Sequence, residues 1–213
     1  MLKYAFALAA APLALTGAVI AAPPATAQQS PADNIKAISA HLRAMDTMTA
    51  NFTQTDRSGQ LLSGKLTLKQ PGRIRFQYSK DVNLLIVADG KALTMIDYDV
   101  NQVQRWPINN SPLGALLNPQ QDLSKYGKIV PTRNPEVLSV EVRDPKRPEY
   151  GVITMIFTKA ANAPAGLRLD GWVSLDSKNN RTSIRLSDQK FGVPVANSTF
   201  NWTDPRPNRR GRR

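Results

Sequence analysis

From Leu62 to Tyr78 the chain alternates strictly. Even positions carry Leu62, Gly64, Leu66, Leu68, Gln70, Gly72, Ile74, Phe76 and Tyr78, and odd positions carry Ser63, Lys65, Thr67, Lys69, Pro71, Arg73, Arg75 and Gln77. Successive side chains of a strand point to opposite faces, so this is a pair of β-strands with one apolar face and one wet, cationic face. Pro71-Gly72 supplies the turn between them. Such a pair must bury its even face, and the remainder of the chain has to provide the cover.

The first residues stand apart from that fold. Lys3 is followed by an almost unbroken apolar run from Tyr4 to Ala22, and Ala25-Thr26-Ala27 is a small-residue cleavage site before Gln28. Pro12 and Gly17 interrupt the run, which favours a cleaved signal peptide (residues 1–27) over an anchor. Nothing later approaches the roughly 18 apolar residues of a membrane span. The mature protein is therefore expected to be secreted and soluble. The chain has no cysteine, so it carries neither a disulfide framework nor a thiol for lipid attachment.

Ser30-Pro31-Ala32-Asp33 has the form of a helix start, and Ile35, Ile38, Leu42, Met45 and Met48 then recur on one helical face. Strands are predicted at residues 49–55, 61–69, 73–79, 84–88, 91–97 and 101–106, with Asp89-Gly90 as a two-residue type I′ hairpin turn. Ser111-Pro112 opens a short apolar helix over Leu113–Leu117, and the polar stretch 118–127 has room for another helical turn. Strands follow at 137–142, 151–158, 167–176, 182–188 and 198–202. In the third of these, Leu167, Leu169, Val173 and Leu175 read as the apolar face, against Arg168, Asp170, Trp172 and Ser174. About eleven short antiparallel strands with two or three helices predict one strongly curved sheet, nearly a barrel, with helices over its opening. The domain is assigned to 28–203, leaving 204–213 as a basic, disordered tail.

Chemistry is scarce. With one histidine and no cysteine, the usual nucleophile–base arrangements and metal sites are unavailable. His41 is expected at the surface or the edge of the core. Asp97 and Asp99 read as turn carboxylates. Residues 59–66 nearly match the phosphate-loop pattern but place Leu66 where Ser or Thr is needed, inside a strand with no helix behind it. The protein is read as a non-enzyme with no cofactor and no metal. Its formal charge of +12 includes Arg206, Arg209, Arg210, Arg212 and Arg213. For a secreted chain this points to anionic lipid rather than nucleic acid, with a solvated tail of no role as the competing reading.

In their order and spacing, Asn51–Gln54, Gly64–Tyr78, Val87–Leu93 and Ser111–Leu117 resemble the LolA family, the periplasmic outer-membrane lipoprotein carriers of Gram-negative bacteria. The resemblance implies a LolA/LolB-like unclosed antiparallel β-barrel under a helical lid, enclosing an apolar cavity for lipoprotein acyl chains. It implies a monomer that receives its cargo from an inner-membrane lipoprotein-releasing ABC transporter and passes it to an outer-membrane acceptor lipoprotein. The cavity is assigned to Leu66, Leu68, Ile74, Phe76 and Tyr78 of the sheet, Leu113, Leu116 and Leu117 of the short helix, and Ile38 and Leu42 of the first helix. For each of these, ordinary core packing is the competing reading. Many members carry Arg before the Pro of the strand turn, where it holds the closed lid through backbone carbonyls. Here that lid-control position is Gln70, and Arg73 and Arg75, of opposite parity, point away from the cavity. A lipid- or lipoprotein-binding sensor of the same fold is the alternative function.

Overall fold

The computed structural model describes residues 29–108, 113–120 and 122–207; the signal peptide, Ser111-Pro112 and the tail from 208 onward lie outside them. Helix α1 spans Pro31–Ala44. It begins where the sequence predicts, because the Ser30 hydroxyl accepts the Asp33 N–H at 3.2 Å and donates to the Asp33 carboxylate at 2.7 Å. It ends at Met45, so Met48 belongs to the following strand.

Eleven strands follow: β1 Thr47–Thr55, β2 Leu61–Lys69, β3 Arg73–Tyr78, β4 Leu84–Asp89, β5 Ala92–Asp97, β6 Gln102–Pro107, β7 Gly127–Val130, β8 Val137–Arg143, β9 Val152–Lys159, β10 Leu167–Leu175 and β11 Arg181–Phe191. All pair antiparallel in a single sheet ordered β6-β5-β4-β3-β2-β1-β11-β10-β9-β8-β7. The chain meanders outward from β1 to β6, crosses to the opposite edge, and meanders back until β11 pairs with β1. The crossing holds two short helices, α2 Gly114–Leu117 and α3 Leu123–Tyr126.

Edges β6 and β7 are not paired with each other, so the barrel is unclosed. Its curvature can be read from one contact. Phe76 on β3 and Trp172 on β10 are four strand spacings apart, about 19 Å in a flat sheet, yet their ring centroids lie 6.1 Å apart. The sheet curls, and the space inside takes the main core, in which Phe52, Ile74, Val140, Phe157 and Leu169 meet Ile38 and Leu42 of α1 and Leu116 of α2.

The strand count agrees with expectation through two errors that cancel. Residues 198–202 form no strand: Asn197–Phe200 is a 3-10 turn in a segment lying across the outer face. There Phe200, Val195 and Trp202 pack on Leu85, Val87 and Ile96, making a second small core behind the sheet. β7, by contrast, has no counterpart among the strands the sequence predicts. The β4–β5 turn also differs, since among its residues only Gly90 has positive φ (99°). A type I′ turn needs two such residues, and Gly90-Lys91 follows the type II′ pattern instead. Asp89 closes β4 and caps the turn, accepting the N–H groups of Lys91 and Ala92, each at 2.8 Å.

Candidate functional site: an apolar cavity beside a tethered helix

The alternation in β2 and β3 has the predicted parity. Leu66, Leu68, Ile74, Phe76 and Tyr78 are buried on the inner face, while Lys65 and Gln77 are exposed outside. Antiparallel register sets Leu66 opposite Phe76 and Leu68 opposite Ile74. Phe52 of β1 stands edge-on to both Phe76 and Tyr78, at 5.3 and 5.1 Å.

Open space occupies only part of this interior. A cavity of about 450 Å³ lies where β3–β6 face β10 and β11. Of the sequence-assigned residues, Phe76, Tyr78 and Leu113 line it. The others, Leu66, Leu68, Ile74, Leu116, Leu117, Ile38 and Leu42, sit in the packed core next to it, each at most 2 % exposed. There they share one buried cluster with side chains of α1 and α2. The apolar wall is completed by Ile86, Met95, Trp106, Trp172 and Ile184, and one end is polar, with Gln54, Ser174, Asp176 and Thr182.

Trp172, on the outer face by strict alternation, is buried inside, at 2 % exposure. A register shift between Leu169 and Gly171 inverts the parity of the second half of β10, so Val173 and Leu175 turn outward. The signal was Gly171 in mid-strand. A Cβ there would lie 2.1 Å from the Ile184 carbonyl, so the bulge needs a residue without a side chain.

Gln70, at the lid-control position, reaches inward. Its Nε2 donates to the Leu116 carbonyl at 3.0 Å, and its Oε1 accepts the Gly72 N–H at 3.1 Å. One uncharged amide thus ties the β2–β3 turn to α2. Arg73 and Arg75 do face away: Arg73 Nη1 donates to Asn197 Oδ1 at 2.6 Å, and Arg75 Nη1 to the carbonyls of Thr199 and Asn201 at 3.2 and 3.0 Å. They strap the C-terminal segment to the outer face.

Two buried titratable groups frame the interior. Tyr78 donates to Gln54 Oε1 at 2.7 Å, and burial pushes its hydroxyl up to about 12. His41 is fully buried rather than at a surface or core edge. Its Nδ1 lies 2.8 Å from the Pro164 carbonyl, which can only accept, so Nδ1 carries a proton. Nε2 finds no hydrogen-bond partner among the described residues. Phe157 and Phe191 stand edge-on to the ring, and burial lowers its basicity below that of an ordinary histidine.

Asp97 and Asp99 behave as turn residues, Asp97 accepting the Asp99 N–H at 3.0 Å and Asp99 the Asn83 amide at 2.6 Å. The described residues include no group of three His, Cys, Asp or Glu placed to hold a metal, and no helix long and apolar enough to cross a membrane.

Fold and site together define an unclosed half-barrel with an apolar interior and a helix tethered across part of it. The family model described as outer membrane lipoprotein carrier protein LolA matches residues 43–203. Two relatives, each named outer-membrane lipoprotein carrier protein, are 29 % identical. The one from Methylobacillus flagellatus aligns over 82 % of this chain and 86 % of its own length, and the one from Chromobacterium violaceum over 90 % and 93 %. Among solved structures, a LolA superfamily protein from Nitrosomonas europaea covers 82 % of this chain and 98 % of its own, with 11 % identity and a TM-score of 0.44. The chain belongs to the LolA family of outer-membrane lipoprotein carrier proteins.

Proposed function

We propose that this protein is a periplasmic carrier that holds lipoprotein acyl chains in its apolar interior and shuttles them from the inner to the outer membrane. Cargo would arrive from the inner-membrane lipoprotein-releasing ABC transporter and leave to the outer-membrane acceptor lipoprotein. The observation that carries this reading is a cavity lined by Phe76, Trp106 and Trp172, continuous with a core that short helices fill on one side.

The energetics suit transfer rather than storage. Each methylene taken out of water contributes about 0.8 kcal/mol, so ten give about 8. Binding that strong would hinder release if the empty site were already open. Here Leu116 and Leu117 occupy the inner face beside the cavity, so an entering chain displaces protein side chains instead of water and the net gain is smaller. The existing space suits one small ligand; a lipid anchor with several chains would need α2 to leave. The polar end at Gln54, Ser174 and Thr182 would face the ligand's head while its chains lie against the aromatic wall.

Mass spectrometry of an organic extract of the purified mature protein tests the assignment. Lipidated peptides support the carrier. Free lipids without peptide would instead favour the sensor or general lipid carrier, and turnover of added lipid would indicate an enzyme.

A further inference from the structure

We infer that the outer rim of the sheet carries a phosphate-binding cleft, separate from the acyl cavity, that the β2–β3 turn builds together with the β4–β5 turn. Here Lys69, Arg73 and Lys91 converge on a cleft of about 500 Å³ that Asn197 closes from the strapped C-terminal segment. The two turns touch backbone to backbone: Gly72 has φ 75°, and a Cβ on it would lie 2.8 Å from Gly90 Cα, so the close approach of the turns that carry Arg73 and Lys91 depends on glycine.

The charges in this cleft are unbalanced. Asp89 is the one carboxylate in its lining, and both its oxygens are engaged. Oδ1 takes the Lys91 and Ala92 N–H groups, and Oδ2 takes Arg105 at 2.6 Å. Lys69 Nζ donates to the Val195 carbonyl at 2.7 Å and to Asn197 Oδ1 at 3.1 Å, and Arg73 Nη1 donates to the same Asn197 oxygen at 2.6 Å, so every acceptor is neutral. Lys91 Nζ makes no ion pair among the described residues. Two cations that share one amide oxygen and otherwise meet only neutral acceptors, with Lys91 lining the same cleft, repel one another until an anion enters.

Phosphate fits this arrangement better than a carboxylate. Several oxygens on one tetrahedral centre can accept from three separate cations at once, and among the described residues Arg73 spends one of its five N–H donors. The same chemistry is offered by free phosphate and by the headgroup of an anionic phospholipid. Gln70, which tethers α2, lies in the same turn, so a membrane surface held here would sit at the end of the molecule where the lid is anchored. The inference does not depend on what the acyl cavity holds.

The test uses the full mature chain, including its Arg tail. In amide NMR, inorganic phosphate should shift the Gly72, Gly90 and Lys91 resonances saturably in the wild type and much less in Lys91→Gln, a variant that removes a side chain with no ion pair. No saturable shift, or the same shift in Lys91→Gln, would overturn the site. Sedimentation with phosphatidylcholine vesicles containing phosphatidylglycerol identifies the source. Arg73→Gln/Lys91→Gln should weaken vesicle binding about tenfold, and the charge-matched control Lys80→Gln/Lys128→Gln less than about twofold. Equal loss in both pairs, with the phosphate shifts intact, supports the site with free phosphate as its ligand and overturns the lipid headgroup. An apolar dye should bind the cavity of Lys91→Gln as in wild type, which keeps this inference and the carrier reading separately falsifiable.

Discussion

Gln70→Glu isolates the tether of α2 with almost no change in shape. One carboxylate oxygen can still accept the Gly72 N–H, but the other meets the Leu116 carbonyl where Nε2 now donates across 3.0 Å. The lost bond is worth about 1 kcal/mol, and leaving partly buried acceptors unsatisfied adds about 1 more. α2 is only four residues long and has no side-chain N-cap bond, so it cannot persist as a helix without tertiary support. A change of about 2 kcal/mol shifts the closed-to-open ratio roughly thirtyfold. A probe that needs the open form should bind tighter by up to that factor. Thermal unfolding should shift down by about 4–8 °C, as expected for a domain of this size. Titration with an environment-sensitive apolar dye and a thermal melt, both near neutral pH, read the two effects. Acid supplies an internal control: below the ordinary Glu pKa of about 4.3 the introduced carboxyl is protonated, can donate again, and the difference from wild type should narrow. Unchanged melting together with unchanged dye affinity at neutral pH would remove Gln70 from lid control and leave Leu116 and Leu117 held by packing alone.

Gln70→Arg should act in the opposite sense, strengthening the hold on α2 through charge-assisted bonds, but by only about 1 kcal/mol because the Gly72 N–H loses its acceptor; dye affinity should fall less than about tenfold. Phe76→Asp, in the cavity wall, and Ile74→Asp, in the adjoining core, should cost several kcal/mol of burial and abolish dye binding, whereas Thr67→Asp and Gln77→Asp on the other face should leave it nearly intact. Equal binding by all four would reverse the assigned face. The His41 pKa is lowered on folding, so the unfolded chain binds the proton better. The stability this contributes is complete above the unfolded value of about 6.5 and is lost as the pH falls below it. Urea unfolding should show this slope just below about pH 6.5 in the wild type and a flatter one in His41→Leu. Intact-mass analysis of protein isolated from the periplasm should place the mature N-terminus at Gln28; Lys3 in the purified chain would refute the leader assignment.

Features set by near neighbours were legible in the sequence. The Ser30 cap depends on one hydroxyl and an N–H three residues on. The faces of β2 and β3 follow from strand geometry once alternation runs unbroken from Leu62 to Tyr78. The outward direction of Arg73 and Arg75 comes from the same parity, whereas Gln70 stands out only through the family resemblance, which places a lid-holding residue before the Pro of the turn. Tertiary structure decided what occupies the inner face. Leu66 and Leu68 carry the same pattern as Phe76 and Tyr78, yet the former are packed in the core with residues of α1 and α2 while the latter border open space; that depends on which distant elements meet them after long-range closure. Trp172 faces inward because Gly171 lets β10 bulge against the backbone of β11, a contact that alternation counted along one strand cannot register. The segment around Phe200 reads as a strand in sequence, but it joins no ladder and packs Phe200 and Trp202 on Leu85, Val87 and Ile96 of the outer face, a contact between residues more than a hundred positions apart. β7 escaped notice for the converse reason: four residues after a helical turn are too few to show a period, and pairing with β8 makes them a strand.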